Sequence, residues 1–209
     1  MKSNFFRYYF SVFYQPKIAF RQLLANEQRL RFGFYAVLIM AVLYTLVYVF
    51  LTFGGGHPYK PWLPIAPEVY YRYNVFFLAP SMFCGWLLAA SFAYFLNKLF
   101  HSEPKFIDIL CVFGFGIGIA SWSTGLHDLV TSFLGAVHLI NQRQYEVALN
   151  SPTVWRTLLW IQMLAYVLWF CILFSIGIKV SAQTKRHQAI FIAVFSFIVY
   201  QLFFFIFNR

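Results

Sequence analysis

Charge is what this chain has least of. Asp, Glu, Lys and Arg make up 11% of its 209 residues and apolar types 61%, whereas soluble domains run at roughly 25% and 45–50%. That excludes a soluble globular fold, and a mean hydropathy of +0.67 belongs to a protein whose solvent is lipid. Cysteine is scarce too: Cys84, Cys111 and Cys171 each lie singly in an apolar run, where a thiol behaves as a small hydrophobe. Neither a disulfide nor a Cys-x-x-Cys ligand pair is expected, and no metal or other cofactor. The chain also lacks His-Glu-x-x-His, Gly-x-Ser-x-Gly and any adjacent Glu pair, so an enzyme is not the expected reading. Its N-terminus, MKSNFFRYYFSVFYQPK, is broken by Arg7 and has no Ala-x-Ala site, so no cleaved leader is expected.

What is present is aromatic and segmented. Phe contributes 28 residues and Tyr 14, rings that suit both hydrocarbon and the headgroup boundary. Five apolar segments, about 34–53, 75–96, 107–126, 155–178 and 188–207, each approach the roughly 20 residues needed to cross a 30 Å core. The expected fold is therefore all-α: a polytopic bundle of five transmembrane helices over residues 33–209, preceded by an aromatic, basic segment 1–32 at the cytoplasmic interface. Within that segment an amphipathic helix should begin at Pro16, a natural first helical residue, with Phe20, Leu23, Leu24 and Leu30 roughly on one face.

Between the first two spans, Gly54, Gly55 and Gly56 end a helix, and Pro58, Pro61, Pro64 and Pro67 recur at a polyproline II period. Tyr70, Tyr71 and Tyr73 follow, and the whole stretch is expected to lie along the membrane surface. Pro80 is expected in the first turns of the second span, where a missing N–H matters least. Residues 141–153 read as a polar loop. Lys and Arg near span ends divide eleven to five in favour of the side holding the N-terminus, which predicts that terminus inside and the C-terminus outside. The net charge of +10 is spread over span ends and forms no patch, so nucleic acid is not an expected partner.

The third segment holds what is unusual. Gly114 and Gly118 form a Gly-x-x-x-Gly pair that, with Gly125, leaves a smooth stripe for a close-approaching helix, either of the same chain or of a partner. Gly114-x-Gly116-x-Gly118 has no strand before it, so it is not a nucleotide loop. His127, Asp128 and His138 are the candidate polar site. A 20-residue span from Phe106 puts Asp128 at the far interface, where it would cap a helix or pair with His127 or an arginine; inside a bilayer an acid would be a functional site by default. His127 and His138, eleven residues apart, would share a face of one helix, an arrangement unsuited to holding haem between helices. Residues 129–140 read equally as a continuation of that helix or as a separate interfacial one.

The layout resembles the Ypt-interacting (Yip) membrane proteins in their bacterial form. The resemblance rests on a basic Pro-x-x-Ala-Phe stretch, here Pro16, Ala19 and Phe20, leading into five close spans, and on a Phe-led third span with a Gly-aromatic pair, here Phe106 with Gly114 and Phe115. Ile119 and Ala120 stand where members often have a proline, and no Asp-Leu-Tyr-Gly-Pro type motif is present, so the resemblance does not extend to small-GTPase binding. It implies a bacterial inner-membrane protein without catalytic residues, acting as a scaffold that binds lipid bilayer and other membrane proteins or itself. The competing expectation is a small transporter or lipid-handling protein using a cavity near Asp128 and His127.

Overall fold

In a computed structural model that describes residues 4–58 and 63–208, every regular element is a helix. They are α1 (Phe5–Tyr14), α2 (Pro16–Leu24), α3 (Arg29–Phe53), α4 (Pro67–Leu99), α5 (Phe106–Ala120), α6 (Trp122–Ala136), α7 (Gln142–Asn150), α8 (Val154–Ala182) and α9 (Arg186–Asn208). Lipid cannot hydrogen-bond a backbone, so a chain this apolar satisfies its peptide groups within helices. Four helices, α3, α4, α8 and α9, are each long and apolar enough to cross a membrane. The pair α5 and α6, bent by 45° at a short break, passes the same test together. The protein is thus an all-helical, polytopic membrane protein.

The bundle is organised around α5. Every residue from Ile109 to Ala120 is buried, with α3, α4 and α8 against it and α9 closing the far side between α4 and α8. At its first turn Arg29 Nε meets Asp108 Oδ1 at 2.5 Å, tying the start of α3 to the start of α5. Phe113 stacks on Phe174 of α8, ring centroids 4.0 Å apart, and Trp86 Nε1 of α4 donates to Leu110 O at 2.9 Å.

Several elements depart from the sequence reading. The second span begins at Pro67 rather than near Val75, and α4 runs 33 residues, about 50 Å of helix. The part of the expected surface segment from Pro67 onward is therefore helical, with Tyr70 and Asn74 fully buried. Pro80 is consequently deep inside the helix, and nearby Ser81 Oγ donates to Leu78 O at 2.7 Å. Of the proline series, Pro61 lies outside the described residues. The expected polar loop after α6 folds as α7, capped by Asn141 Oδ1 accepting from Gln144 N at 3.0 Å.

The helix from Pro16 is present as α2 but ends at Leu24, so Leu30 falls in the first turn of α3 and is exposed, and the aromatic stretch before α2 forms a further helix, α1. Both bury a face in the core: Tyr9 and Val12 from α1, Ala19, Phe20 and Leu23 from α2. Phe5 packs on Phe32 and Phe115, and Phe13 on Trp169. Phe115 and Trp169 lie well inside their helices. The N-terminal hairpin is therefore a packed part of the bundle.

Candidate functional site

The site grows from the break at Ser121. Ser121 N closes the last bond of α5 on Ile117 O at 3.1 Å, and Gly125 N opens α6 on Ser121 O at 2.8 Å. Two carbonyls between, those of Gly118 and Ala120, are met by side-chain hydroxyls. Tyr9 Oη donates to Gly118 O at 2.6 Å and Ser123 Oγ to Ala120 O at 2.6 Å, while Tyr44 Oη bonds Thr124 Oγ1 at 2.6 Å and reaches Ser121 O at 3.4 Å. Trp122 Nε1 then donates to Tyr9 Oη at 2.8 Å. A kinked helix in a low-dielectric interior needs such partners for its freed acceptors.

On the α5 side of the break, the glycine stripe faces α3 of the same chain. A Cβ on Gly114 would run into the Gly33 carbonyl, and one on Gly118 would stand 2.7 Å from Ala36 O. Gly33 in turn meets the Cys111 Cα, which a Cβ would approach to 2.9 Å. The two backbones touch directly along this seam, and the face that could have served a partner is filled. Gly125, beyond the break, faces the Leu43 side chain and the Tyr44 ring. The remaining small residue, Gly116, accommodates the Phe174 ring of α8.

On the α6 side the structure gathers polar groups. His127 Nδ1 lies 3.0 Å from Asp128 Oδ1 and Nε2 2.7 Å from Tyr145 Oη; in the neutral tautomer whose Nδ1–H donates to the carboxylate, Nε2 accepts from the phenol. Glu146, one residue along α7, accepts from His57 N at 3.1 Å, Tyr71 Oη at 3.3 Å and Gln142 Nε2 at 3.4 Å. Burial raises its carboxyl above the usual glutamate range, with those three hydrogen bonds opposing the shift. Tyr145 is pushed up by burial and then by the charge on Asp128. A pocket of about 180 Å³ lies between, with Tyr48, Tyr71 and Thr131 also on its wall.

Asp128 therefore pairs with His127 and is a little over one third exposed. His138 does not line the pocket: α6 continues through Ala136, and His138 follows in a left-handed turn at φ 60, exposed. Residues 129–136 thus prolong the bent helix, and the two histidines do not share one helix face. Among the described residues, no three His, Cys, Asp or Glu side chains converge as metal ligands. Sequence reasoning missed Tyr145 and Glu146 because their stretch read as a loop, and Tyr9 and Tyr44 because a tyrosine in an aromatic run carries no mark of its partner. Asn141 three residues ahead of Gln144 was a legible helix start.

The residues that carried the family resemblance are packing residues. Phe20 sits beside Gly177 of α8, Gly114 on Gly33, and Phe115 against Phe5 and Tyr9. The Yip1 domain family model matches residues 10–207, nearly the whole chain. No curated protein and no solved structure matches it.

Proposed function

The chain belongs to the Yip1 domain family, and on that premise we propose that it is a non-catalytic membrane scaffold, working by association with other membrane proteins, or with itself, and with lipid. The observation that carries this reading is the filled break in the third span. Transporters use discontinuous helices because freed carbonyls and half-helix ends can hold an ion or substrate near the midplane. Here Tyr9, Ser123 and Tyr44 occupy those acceptors from within, α3 backbone closes the Gly114–Gly118 side, and the cavity of about 300 Å³ on the other side, between Phe13, Ser123 and Trp169, is walled almost wholly by apolar side chains. The proposed setting is a bacterial inner membrane with the N-terminus inside and the C-terminus outside, supported by the eleven-to-five distribution of Lys and Arg.

A second reading, a small transporter or lipid-handling protein, draws on the pocket between His127, Asp128 and Glu146. Co-purification from native membranes with identification of bound proteins and lipids separates the two. Recovery of the same membrane protein in stoichiometric amount supports the scaffold. Recovery of the chain alone with a small solute that is lost in Glu146→Gln supports the transporter and removes the scaffold. Reporter fusions after Phe100 and Arg186 should read cytoplasm and one after Arg209 the outside; a cytoplasmic C-terminus would overturn the orientation.

A further inference from the structure

At the end of the bundle opposite the His127 pocket, a groove of about 820 Å³ is lined by α2, α8 and α9, a size typical of small-ligand sites. Four cations from these three helices face it: Lys17 and Arg21 one turn apart on α2, Lys179 in the last turn of α8, and Arg186 at the start of α9. No acid lines the groove. Among the described residues none of the four has a carboxylate partner; Asp108 is taken by Arg29, and Asp128 by His127. The opening turn of α9 also lacks an acid, so its N-terminal end adds positive potential to the same place.

Four unmatched positive charges around one concavity repel one another unless an anion is held between them. The turn that brings Arg186 back toward Lys179 is specific: Gln183, itself on the groove wall, is left-handed at φ 53.

Below the charges the wall is apolar. Leu168, Ile172 and Ile176 descend along α8 from Lys179, with Ile190 of α9 opposite. From Lys179 to Leu168 is about 16 Å of helix, roughly half of a 30 Å hydrocarbon core and so about one leaflet. A free phosphate would use only the rim of such a slot. Under the orientation proposed above, the charged rim faces the cytoplasmic leaflet, where anionic lipids lie and where basic pockets between spans hold their headgroups.

We propose that this groove is a binding site for one anionic phospholipid, its phosphate held by Lys17, Arg21, Lys179 and Arg186 and an acyl chain lying along Leu168, Ile172 and Ile176. The choice of leaflet rests on the orientation proposed above, but binding in detergent requires neither that orientation nor a protein partner, so its failure and that of the scaffold reading are distinguishable.

The test titrates purified full-length protein in detergent with phosphatidylglycerol, with phosphatidylcholine of the same chains, and with inorganic phosphate, counting bound lipid by native mass spectrometry. Phosphatidylglycerol should bind saturably, and neither phosphatidylcholine nor phosphate should displace it. The exposed pair Lys179→Gln/Arg186→Gln should weaken it roughly 30-fold, about fivefold per charge, the factor equivalent to about 1 kcal/mol per basic group near a membrane surface. Lys17→Gln/Arg21→Gln should do the same, which keeps the test open if one pair fails to fold. Lys98→Gln/Lys105→Gln, an equal charge change outside the groove, should alter it by no more than about twofold. Ile172→Trp, which fills the slot and spares the charges, should also weaken it. Equal binding of the two lipids, or a folded charge-pair variant with unchanged affinity, overturns the proposal. Displacement by inorganic phosphate at equal concentration, or an unaffected Ile172→Trp, reduces the site to a simple anion site and overturns the lipid assignment.

Discussion

The two members of the bent pair α5 and α6 are built on opposite principles. In α5, twelve consecutive residues are buried and stability comes from small residues that bring backbones into contact, because lipid offers no hydrophobic drive to association and packing must supply it. In α6, few residues are buried, and beside packing contacts such as Phe133 on Phe50 it makes hydrogen bonds at His127, Asp128 and Thr124. One helix admits almost no change of volume, while the other rests on polar contacts whose weight falls as their exposure rises. The break at Ser121 divides a scaffold core from a polar cap.

Substitution across the break measures that contrast. Gly114→Leu or Gly118→Leu should cost about 3 kcal/mol, the upper part of the range for overpacking, since each new side chain meets α3 backbone. Thermal unfolding in detergent should show the loss, with Ile198→Leu near neutral at a position open to lipid. Loss of dimer or partner without loss of folding would mean that the seam with α3 is not what the stripe serves.

At the break itself, Tyr9→Phe should cost about 1–3 kcal/mol, because Trp122 Nε1 loses its acceptor and Gly118 O its donor. Trp122→Phe in the same background should add little further, since both deletions remove one network; full additivity of the two changes would show that α1 does not seal the break.

In the cap, Glu146 contributes a pH dependence of unusual sign. Its folded carboxyl titrates above the usual range, so the native state binds that proton more tightly than the unfolded chain does. Its contribution to stability is full below the ordinary glutamate pKa and is lost as pH rises through the raised value. Glu146→Gln should therefore remove that decline, visible as a difference between the two unfolding-versus-pH curves over this window. Parallel curves would mean that the carboxyl is solvated.

The smallest effect is expected from Asp128→Asn. The carboxylate is 37% exposed and its partner is one neighbouring histidine, so the change should be about 0–1 kcal/mol with abundance unaltered. A lost activity at normal abundance would move the polar cap from structure to function.

Much of the architecture could be read in order along the chain, and the reading failed in a consistent way. The N-terminal ends of α2 and α5 and the later spans were legible from Pro16, from Phe106 after the short polar turn, and from apolar runs of membrane-crossing length. Tyr70 was read as surface because tyrosine suits an interface, yet it is buried, together with Asn74, in a helix that starts eight residues before the expected span. Glu146 was read as part of a loop, since nothing in a polar nine-residue stretch announces that Tyr71 and His57, more than seventy residues earlier, will close over it.

What the sequence by itself determined is the solvent and the secondary structure. Composition and run length fix lipid as the medium, and lipid obliges the backbone to form helices. It also marked Gly114 and Gly118 as points where something must come close, since small residues at that spacing remove the side chains that hold helices apart. Only the tertiary structure decided what comes close, because the complementary surface, Gly33 and Ala36 on α3, lies some eighty residues away and its match depends on the angle at which two helices cross. The same holds for Tyr9: its hydroxyl is ordinary until the bend at Ser121 leaves the Gly118 carbonyl, more than a hundred residues along the chain, in front of it.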